Sequence, residues 1–115
     1  MPFKIMRTVL LPTGLAMILS AAPGHAADPV SLQVVIRGHR FEPAELTVPA
    51  NTPVTIEVRN EDDTAEEFDS ADLGVEKVIA GKHQGTIRVR ALAPGRYAFM
   101  GEYHAETAKG VLVAE

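Results

Sequence analysis

The sequence predicts an all-β protein, a sandwich of seven or eight short strands joined in antiparallel fashion. Three observations lead to this prediction. Apolar and polar residues alternate with a period of two in several segments after Ser31. Turn-forming residues separate these segments at intervals of about ten residues, as in β-sandwiches and barrels. No segment after Ser31 keeps a helical period over three turns.

The alternating segments follow one another along the whole domain. Residues 32–37 and 54–59 carry an apolar side chain at every second position, which is typical of a strand with one buried face. Shorter segments of the same kind lie at residues 86–90, 96–100 and 111–113. The stretch 69–78 lacks this pattern, and we expect one short turn there and no more.

Groups of turn-forming residues lie between the predicted strands. They are Glu42-Pro43, Pro49-Ala50-Asn51, Ala80-Gly81-Lys82, Ala93-Pro94-Gly95 and Lys109-Gly110. Proline removes a backbone donor and glycine permits unusual backbone angles, so a strand is expected to end at each group.

Residues 1–26 are predicted to be a secretory signal peptide. Lys4 and Arg7 precede an apolar segment at residues 8–19, and small residues follow it. This order is that of a signal peptide, and the apolar segment is short for a membrane span, which makes a retained anchor the weaker alternative. We therefore expect cleavage at the end of this segment, a single domain at residues 27–115 and a periplasmic location.

Composition narrows the classes of function. The chain has 115 residues and a formal net charge of −4, so it holds one domain and is a poor candidate for binding nucleic acid. It contains no cysteine, which excludes disulfides, a cysteine nucleophile and a thiolate metal ligand. No nucleophile elbow or glycine-rich phosphate loop is present. The stability of so small a secreted domain must come from its β core, with or without a metal ion.

An acidic run stands out from the rest of the chain. Residues 60–76 include eight acidic side chains and no basic one. Such a run is either a solvated loop or a carboxylate site for a hard cation. Phe68 within the run indicates a strand that reaches the core, so Glu66 should share its buried face while Glu67 and Asp69 face the other way.

The C-terminal segment resembles a known family. It runs Tyr97-x-Phe99-x-Gly101-x-x-His104-x-x-Thr107. This resembles the closing loop of the cupredoxins, small Greek-key β-sandwiches that bind copper, where the pattern is Tyr-x-Phe-x-Cys-x-x-His-x-x-Met. In that register, Gly101 stands at the cysteine ligand, His104 at the histidine and Thr107 at the axial methionine.

The resemblance extends over nearly the whole predicted domain. Residues 41–50 are similar to the second-strand pattern of the family, and residues 93–97 to the turn before its penultimate strand. The first cupredoxin histidine lies two residues before an aromatic residue, and Glu66 takes that place before Phe68. A blue copper centre needs a thiolate, imidazoles and a soft axial donor. Without cysteine, the resemblance implies a cupredoxin-like sandwich whose site is rebuilt or lost, with no blue copper centre.

If the site is rebuilt, its ligands come from the side chains that the sequence places at one loop end of the predicted sandwich. Its candidate ligands are His104, Glu66, Glu67, Glu102, Asp69 and Met100. Carboxylates with one imidazole suit Fe(II), Fe(III), Cu(II) or Mn(II) better than Cu(I), and iron or copper is the expected ion. Strand parity allows Glu66 or Glu67 to join His104, but not both without a bulge. Met100 is expected to point outward, where contact with a redox partner is as well supported as ligation.

Three further residues receive weaker interpretations. His39 is expected at a strand edge and His83 in a polar turn, both outside the site. Gly101 is expected either to adopt a positive φ angle or to leave space for the rebuilt site.

The acidic motif also suggests a biological role. Glu67-Phe68-Asp69 is similar to motifs in Cys-less cupredoxin-like proteins that occur beside bacterial high-affinity iron permeases. This resemblance implies iron capture or oxidation in the periplasm, with the membrane permease or another component of that system as partner. An enzymatic role in oxidising ferrous iron stays open, because it needs a redox metal and an electron acceptor. The alternative is a metal-free module that docks a basic partner through its acidic edge. A homodimer bridged by a cation also stays open.

Overall fold

The computed structural model describes residues 30–115, which form two β-sheets packed face to face. The strands are β1 (Val30–Arg37), β2 (Arg40–Glu42), β3 (Glu45–Val48), β4 (Val54–Asn60), β5 (Glu66–Ser70), β6 (Val75–Ile79), β7 (Gln84–Val89), β8 (Gly95–Gly101) and β9 (Lys109–Ala114). A one-turn 3₁₀ helix spans Glu102–His104. The all-β prediction is confirmed, whereas the predicted signal peptide lies outside the described residues. Within this part of the chain, no helix is long and apolar enough to cross a membrane.

The two sheets are mixed rather than purely antiparallel, which corrects the expectation of antiparallel pairing. Their strand orders are β2-β1-β4-β7 and β3-β9-β8-β5-β6. β1 runs parallel to β4, and β3 runs parallel to β9. Parallel neighbours need a crossover connection, and the chain makes one by passing through β3 in the opposite sheet before it returns along β4. A period of two reports which face of a strand is buried but not the direction of its neighbour, so the sequence pattern could not reveal this.

A ninth strand, β6, lies where the sequence predicts only a turn. The turn is present at residues 71–74, with Gly74 at a φ of 67°, and β6 follows it to pair antiparallel with β5. β6 is the edge strand of its sheet, and only Ile79 at its end is fully buried. Edge strands commonly carry charged side chains that prevent further pairing. Because Glu76 and Lys77 are charged, β6 lacks the alternation of apolar and polar residues by which a central strand is recognised.

Three phenylalanines form the centre of the core beneath the candidate site. Phe68 stacks on Phe99 with ring centroids 4.8 Å apart, and Phe41 meets both rings edge-on at 5.7 and 5.0 Å. Each such aromatic pair contributes about 0.5–1.5 kcal/mol beyond the burial of its apolar area. Because β5 and β8 each contribute one ring, the core fixes the positions of the strand residues that carry the site.

Three connections meet at one end of the sandwich. They are the β1–β2 turn at residues 38–39, the β4–β5 loop at 61–65 and the β8–β9 loop at 102–108. Asp62 joins the first two through hydrogen bonds to the amides of the turn, and Thr107 joins the third to the carbonyl oxygen of His39. Most of the candidate ligands lie at this end or on the strands that lead into it.

Candidate metal centre

Glu66 is a fully buried carboxylate at the start of β5. Its side chain points to the core on the same face as Phe68, as the strand parity predicted, and the residue is 1% exposed. Its Oε1 accepts hydrogen bonds from the amides of Glu67 at 3.1 Å and Tyr103 at 3.0 Å. Its Oε2 lies 2.6 Å from Nδ1 of His104. These three donors compensate for the loss of water around a buried carboxylate, which would otherwise be costly.

The Glu66 carboxylate occupies the space beside Gly101, the position that corresponds to the cupredoxin cysteine. A Cβ added to Gly101 would lie 2.5 Å from Cδ of Glu66 and 2.7 Å from Cβ of Ala108. The φ angle of Gly101 is −92°, which any residue can adopt. Glycine is therefore required here for space and not for backbone conformation. Of the two expectations for this residue, the one based on space agrees with the structure.

His104 ends the 3₁₀ helix that follows β8. Its carbonyl oxygen accepts hydrogen bonds from the amides of Thr107 and Ala108, which closes the loop around it. Its imidazole bonds to Glu66 through Nδ1 and remains partly accessible, with 24% of the side chain exposed. His104 and Glu66 thus meet as the register of the family implied.

His39 lies against His104, whereas the sequence interpretation placed it at a strand edge outside the site. Its ring stacks on that of His104, with centroids 3.6 Å apart and planes at 12°. Gly38 and His39 form the tip of the β1–β2 hairpin with φ angles of 59° and 58°. The short turn between two strand segments places His39 at a hairpin tip and hence at one end of the sandwich, but it does not indicate a contact with His104.

Asp62 holds the hairpin tip in its left-handed conformation. Its two carboxylate oxygens accept the amides of Gly38 at 2.8 Å and His39 at 2.9 Å. Burial alone would raise the pKa of Asp62, but these two hydrogen bonds and the neighbouring charges of His39 and His104 hold that pKa below its ordinary value of 3.8. Asp62 is therefore ionised at neutral pH and fixes the backbone that carries the His39 ring.

Thr107, at the register position of the axial methionine, also stabilises the β1–β2 turn. Its hydroxyl donates a hydrogen bond to the carbonyl oxygen of His39 at 2.6 Å. A threonine hydroxyl has one proton to donate, and here that proton anchors the backbone. The residue therefore positions His39 and adds no soft donor.

Glu67 and Asp69 lie on the opposite face of β5, away from His104. Together with Glu76 of β6 they form an outer carboxylate cluster, in which one oxygen from each residue lies within 4.8 Å of the others. The structure thus separates the candidate ligands into an inner pair, Glu66 and His104, and this outer cluster. Closely spaced carboxylates are suited to a hard cation or a basic partner.

Glu102 and Met100 lie near the outer carboxylate cluster and not near His104 and Glu66. Partial burial raises the pKa of Glu67. The negative charge of Glu102 and a hydrogen bond with the Glu102 carboxyl group raise this pKa further, as do the charges of Glu76 and Asp69. Met100 pairs with Asp69 across β5 and β8 and is 38% exposed, which agrees with the expected outward orientation. Neither Glu102 nor Met100 is placed with the His104–Glu66 pair.

These residues do not fit a blue copper centre. Position 101 has neither a sulfur atom nor room for one, and the Thr107 hydroxyl is engaged with the backbone. In the described part of the chain, every buried side-chain nitrogen and oxygen has a hydrogen-bond partner, so the buried carboxylate of Glu66 is satisfied without an ion. The donor types present, imidazole nitrogen and carboxylate oxygen, suit Cu(II) or iron rather than Cu(I).

The chain resembles both a sequence relative and solved structures. It is 34% identical over 84 residues to the uncharacterized protein RP394 of Rickettsia prowazekii, covering 73% of this chain and 67% of that protein. Auracyanin A, a blue copper protein of Chloroflexus aurantiacus, superposes with a TM-score of 0.65 at 20% identity over 76% of this chain and 99% of its own. The metal-binding domain of the Cu(I)-exporting ATPase CopA of Streptococcus pneumoniae superposes with a TM-score of 0.60 at 17% identity over 74% and 84%.

At these identities the solved structures establish the fold alone. The family described as the cupredoxin-like domain matches residues 10–114, which is most of the chain. The chain therefore belongs to the cupredoxin-like domain family.

Proposed function

We propose that this chain is a periplasmic metal-binding protein that captures or oxidises iron for a membrane iron permease, with iron or copper as the bound ion. The observation that carries the proposal is the meeting of His104 and Glu66 at 2.6 Å, at the loop end where the family binds metal. An accessible imidazole backed by a buried carboxylate is a common metal-binding arrangement.

The donor types favour some ions over others. Two of the structural neighbours are named for copper, the S. pneumoniae domain specifically with Cu(I). Soft thiolate and thioether ligands select Cu(I), and this chain has no cysteine. Imidazole and carboxylate donors suit Cu(II) and iron instead, and the Glu67-Phe68-Asp69 motif supports iron.

Titration calorimetry of the purified protein tests metal binding directly. Cu(II), Fe(II) under anaerobic conditions and Mn(II) are titrated into the wild type, His104→Ala and His83→Ala. His83 is the matched control because its Nδ1 bonds to the carbonyl oxygen of Gly81 instead. We expect His104→Ala to weaken binding about tenfold or more, which is about 1.4 kcal/mol, with no change for His83→Ala. Binding that is equal in all three proteins would contradict the proposal.

The role in iron uptake needs a cellular test. We expect deletion of the gene to reduce uptake of radioactive iron at low external concentration, and wild-type protein but not His104→Ala to restore it. Normal uptake in the deletion strain would exclude delivery to an iron permease while leaving metal binding intact.

The outer carboxylate cluster supports a second candidate, a module that docks a basic partner. Val78 is 53% exposed and pairs with Glu67, so an apolar side chain lies among the acids. Docking through this face would weaken with salt and with Glu76→Gln, and would be indifferent to His104→Ala. The two candidates thus respond to different substitutions.

A further inference from the structure

We infer that a pocket at one end of the four-stranded sheet binds a small oxyanion, a molecule with carboxylate or phosphate groups, through Arg59 and Lys82. The pocket has a volume of about 420 Å³ and opens where β4 ends and β7 begins. Pockets that hold small ligands typically measure about 300–1,000 Å³. Arg59, Lys82 and Gln84 line it, and all three lie outside the proposed metal site. The inference therefore goes beyond the proposed function and does not depend on it.

Arg59 is the central donor of this pocket. It is exposed on the outward face of β4, and within residues 30–115 its side chain forms no ion pair. Gln84 pairs with Arg59 across β4 and β7, so the two exposed side chains are neighbours on one face. A guanidinium group offers a planar fork of N–H donors that matches carboxylate and phosphate groups. The pair therefore brings this fork and an amide N–H₂ group to the same pocket.

The backbone holds Lys82 in an unusual conformation beside Arg59. Its φ angle is 60°, in the left-handed region that glycine and asparagine adopt more readily than lysine. The amide of Lys82 donates to the carbonyl oxygen of Asp62 at 2.9 Å, and the amide of His83 donates to that of Ala80 at 3.2 Å. Residues in sparsely populated conformations are concentrated at binding sites, where the surrounding structure keeps them in place. A lysine at this position therefore indicates a use for its ammonium group.

Asn60 fixes the β6–β7 loop that carries Lys82. It is 1% exposed, and its Nδ2 donates to the carbonyl oxygens of Thr64 at 2.9 Å and Ile79 at 3.1 Å. Its amide donates to the carbonyl oxygen of His83 at 2.8 Å. A Cβ added to Gly81 would overlap the backbone of the β4–β5 loop, so the two loops are in direct contact. A site whose backbone is fixed in advance loses less conformational entropy when a ligand binds.

The nearby carboxylates leave the donors of the pocket available. Oε2 of Glu61 already accepts Nε and Nη2 of Arg37, at 2.9 and 2.7 Å. Asp63 lies 3.6 Å from Nζ of Lys82, but its side chain is 91% exposed, and an exposed ion pair of this kind is weak. Nζ also donates to the carbonyl oxygen of Glu61, and an ammonium group has three N–H donors. An oxyanion can therefore bind Arg59 and Lys82 without displacing a buried ion pair.

Titration of the ¹⁵N-labelled, metal-free protein with citrate and with inorganic phosphate, at constant ionic strength, tests the inference. We expect saturable shifts of the Nε–H resonance of Arg59 and of the amides of residues 82–84 with at least one of the two anions. A response to citrate alone would identify carboxylate groups as the ligand chemistry, and a response to phosphate alone would identify phosphate groups. No saturable shift with either anion, or shifts of equal size at all exposed arginines, would overturn the inference.

Two variants and one control assign the binding to this pocket. Arg59→Gln and Lys82→Asn should each weaken binding of the responding anion about tenfold or more, because each removes a charged hydrogen-bond donor. Asparagine is chosen at position 82 because it tolerates a positive φ angle. Arg88→Gln is the matched control, since Arg88 is an exposed arginine on the same face of β7 as Gln84 but outside the pocket. Equal weakening by Arg59→Gln and Arg88→Gln would show a response to overall charge and contradict the inference.

Discussion

Glu66 and Gly101 share one space: the carboxylate of Glu66 lies where a side chain at position 101 would have to be, only 2.5 Å from an added Cβ. Gly101 pairs with Phe68 across β5 and β8, and Glu66 lies two residues before Phe68 on the same face of β5. The glycine at position 101 and the glutamate at position 66 are therefore sterically coupled. A carboxylate of this size at position 66 requires glycine at position 101.

Gly101→Ala should destabilise the domain by about 1–3 kcal/mol, the usual cost of overpacking a filled core. The added methyl group meets Cδ of Glu66 and Cβ of Ala108. Urea denaturation of Gly101→Ala in the wild-type and Glu66→Ala backgrounds measures the coupling. In the second background we expect a smaller cost, and only partial recovery because the contact with Ala108 remains. Equal costs in both backgrounds would show that Glu66 does not fill this space.

Much of the site was accessible from the sequence because two kinds of pattern agreed. The period of two around Phe68 predicted that Glu66 points inward and Glu67 outward, and the structure places them so. The family register located His104, which meets Glu66. The first pattern lies within strand β5 and the second within the β8–β9 loop, and within one strand or one loop the local sequence determines which way a side chain points.

The contacts that could not be predicted join segments far apart in the chain. His39 stacks on His104 only because Asp62 and Thr107 fix the hairpin tip between them. No local pattern encodes a side chain from one loop that reaches the backbone of another. The parallel pairing of β1 with β4 was missed because a period of two does not report the direction of the neighbouring strand.

Asp62→Asn should loosen the hairpin tip that carries His39. The carboxylate accepts two amides, and hydrogen bonds to a charged acceptor are the stronger kind, so we expect a loss of about 1–2 kcal/mol at pH 7. The folded-state pKa of Asp62 lies below 3.8, so its ionised form stabilises the fold above that pH. The difference between wild type and variant should therefore be complete at neutral pH and shrink as the pH falls below 3.8. Chemical denaturation at pH 7 and pH 3 checks this, and a difference that is equal at both values would contradict it.

Thr107→Val should also destabilise the β1–β2 hairpin tip, through the carbonyl oxygen of His39 instead of its amide. Valine keeps the shape of threonine but leaves the carbonyl oxygen of His39 without its 2.6 Å hydrogen bond. We expect a loss of about 1 kcal/mol in stability. The ring resonances of His39 and His104 should also shift, because their stacking depends on this anchor. Thr47→Val on the exposed side of β3 is the matched control, and similar effects for both substitutions would argue against a specific anchor.

The alternation of β5 has a consequence for function: the inner pair and the outer carboxylate cluster can be changed separately. Glu66 contacts His104, whereas Glu67 contributes to the cluster with Asp69 and Glu76. Substitutions on one face should leave the other unchanged, since neighbouring strand positions point to opposite sides of a sheet. Metal binding and docking can therefore be tested in the same protein.

Glu67→Gln should stabilise the domain at neutral pH. Partial burial and the charges of Glu102, Glu76 and Asp69 raise the pKa of Glu67 above 4.5, so the folded state binds its proton more tightly than the unfolded state does. Stability is therefore lost as the pH rises through that pKa, and glutamine avoids the loss because it carries no charge. The gain should be present at pH 7, vanish below pH 4.5 and shrink in about 1 M salt, where charges are screened beyond about 3 Å. Thermal denaturation at these pH values checks the prediction, with Glu106→Gln as the control outside the cluster. A gain that persists at low pH would mean that repulsion among these carboxylates is not its cause.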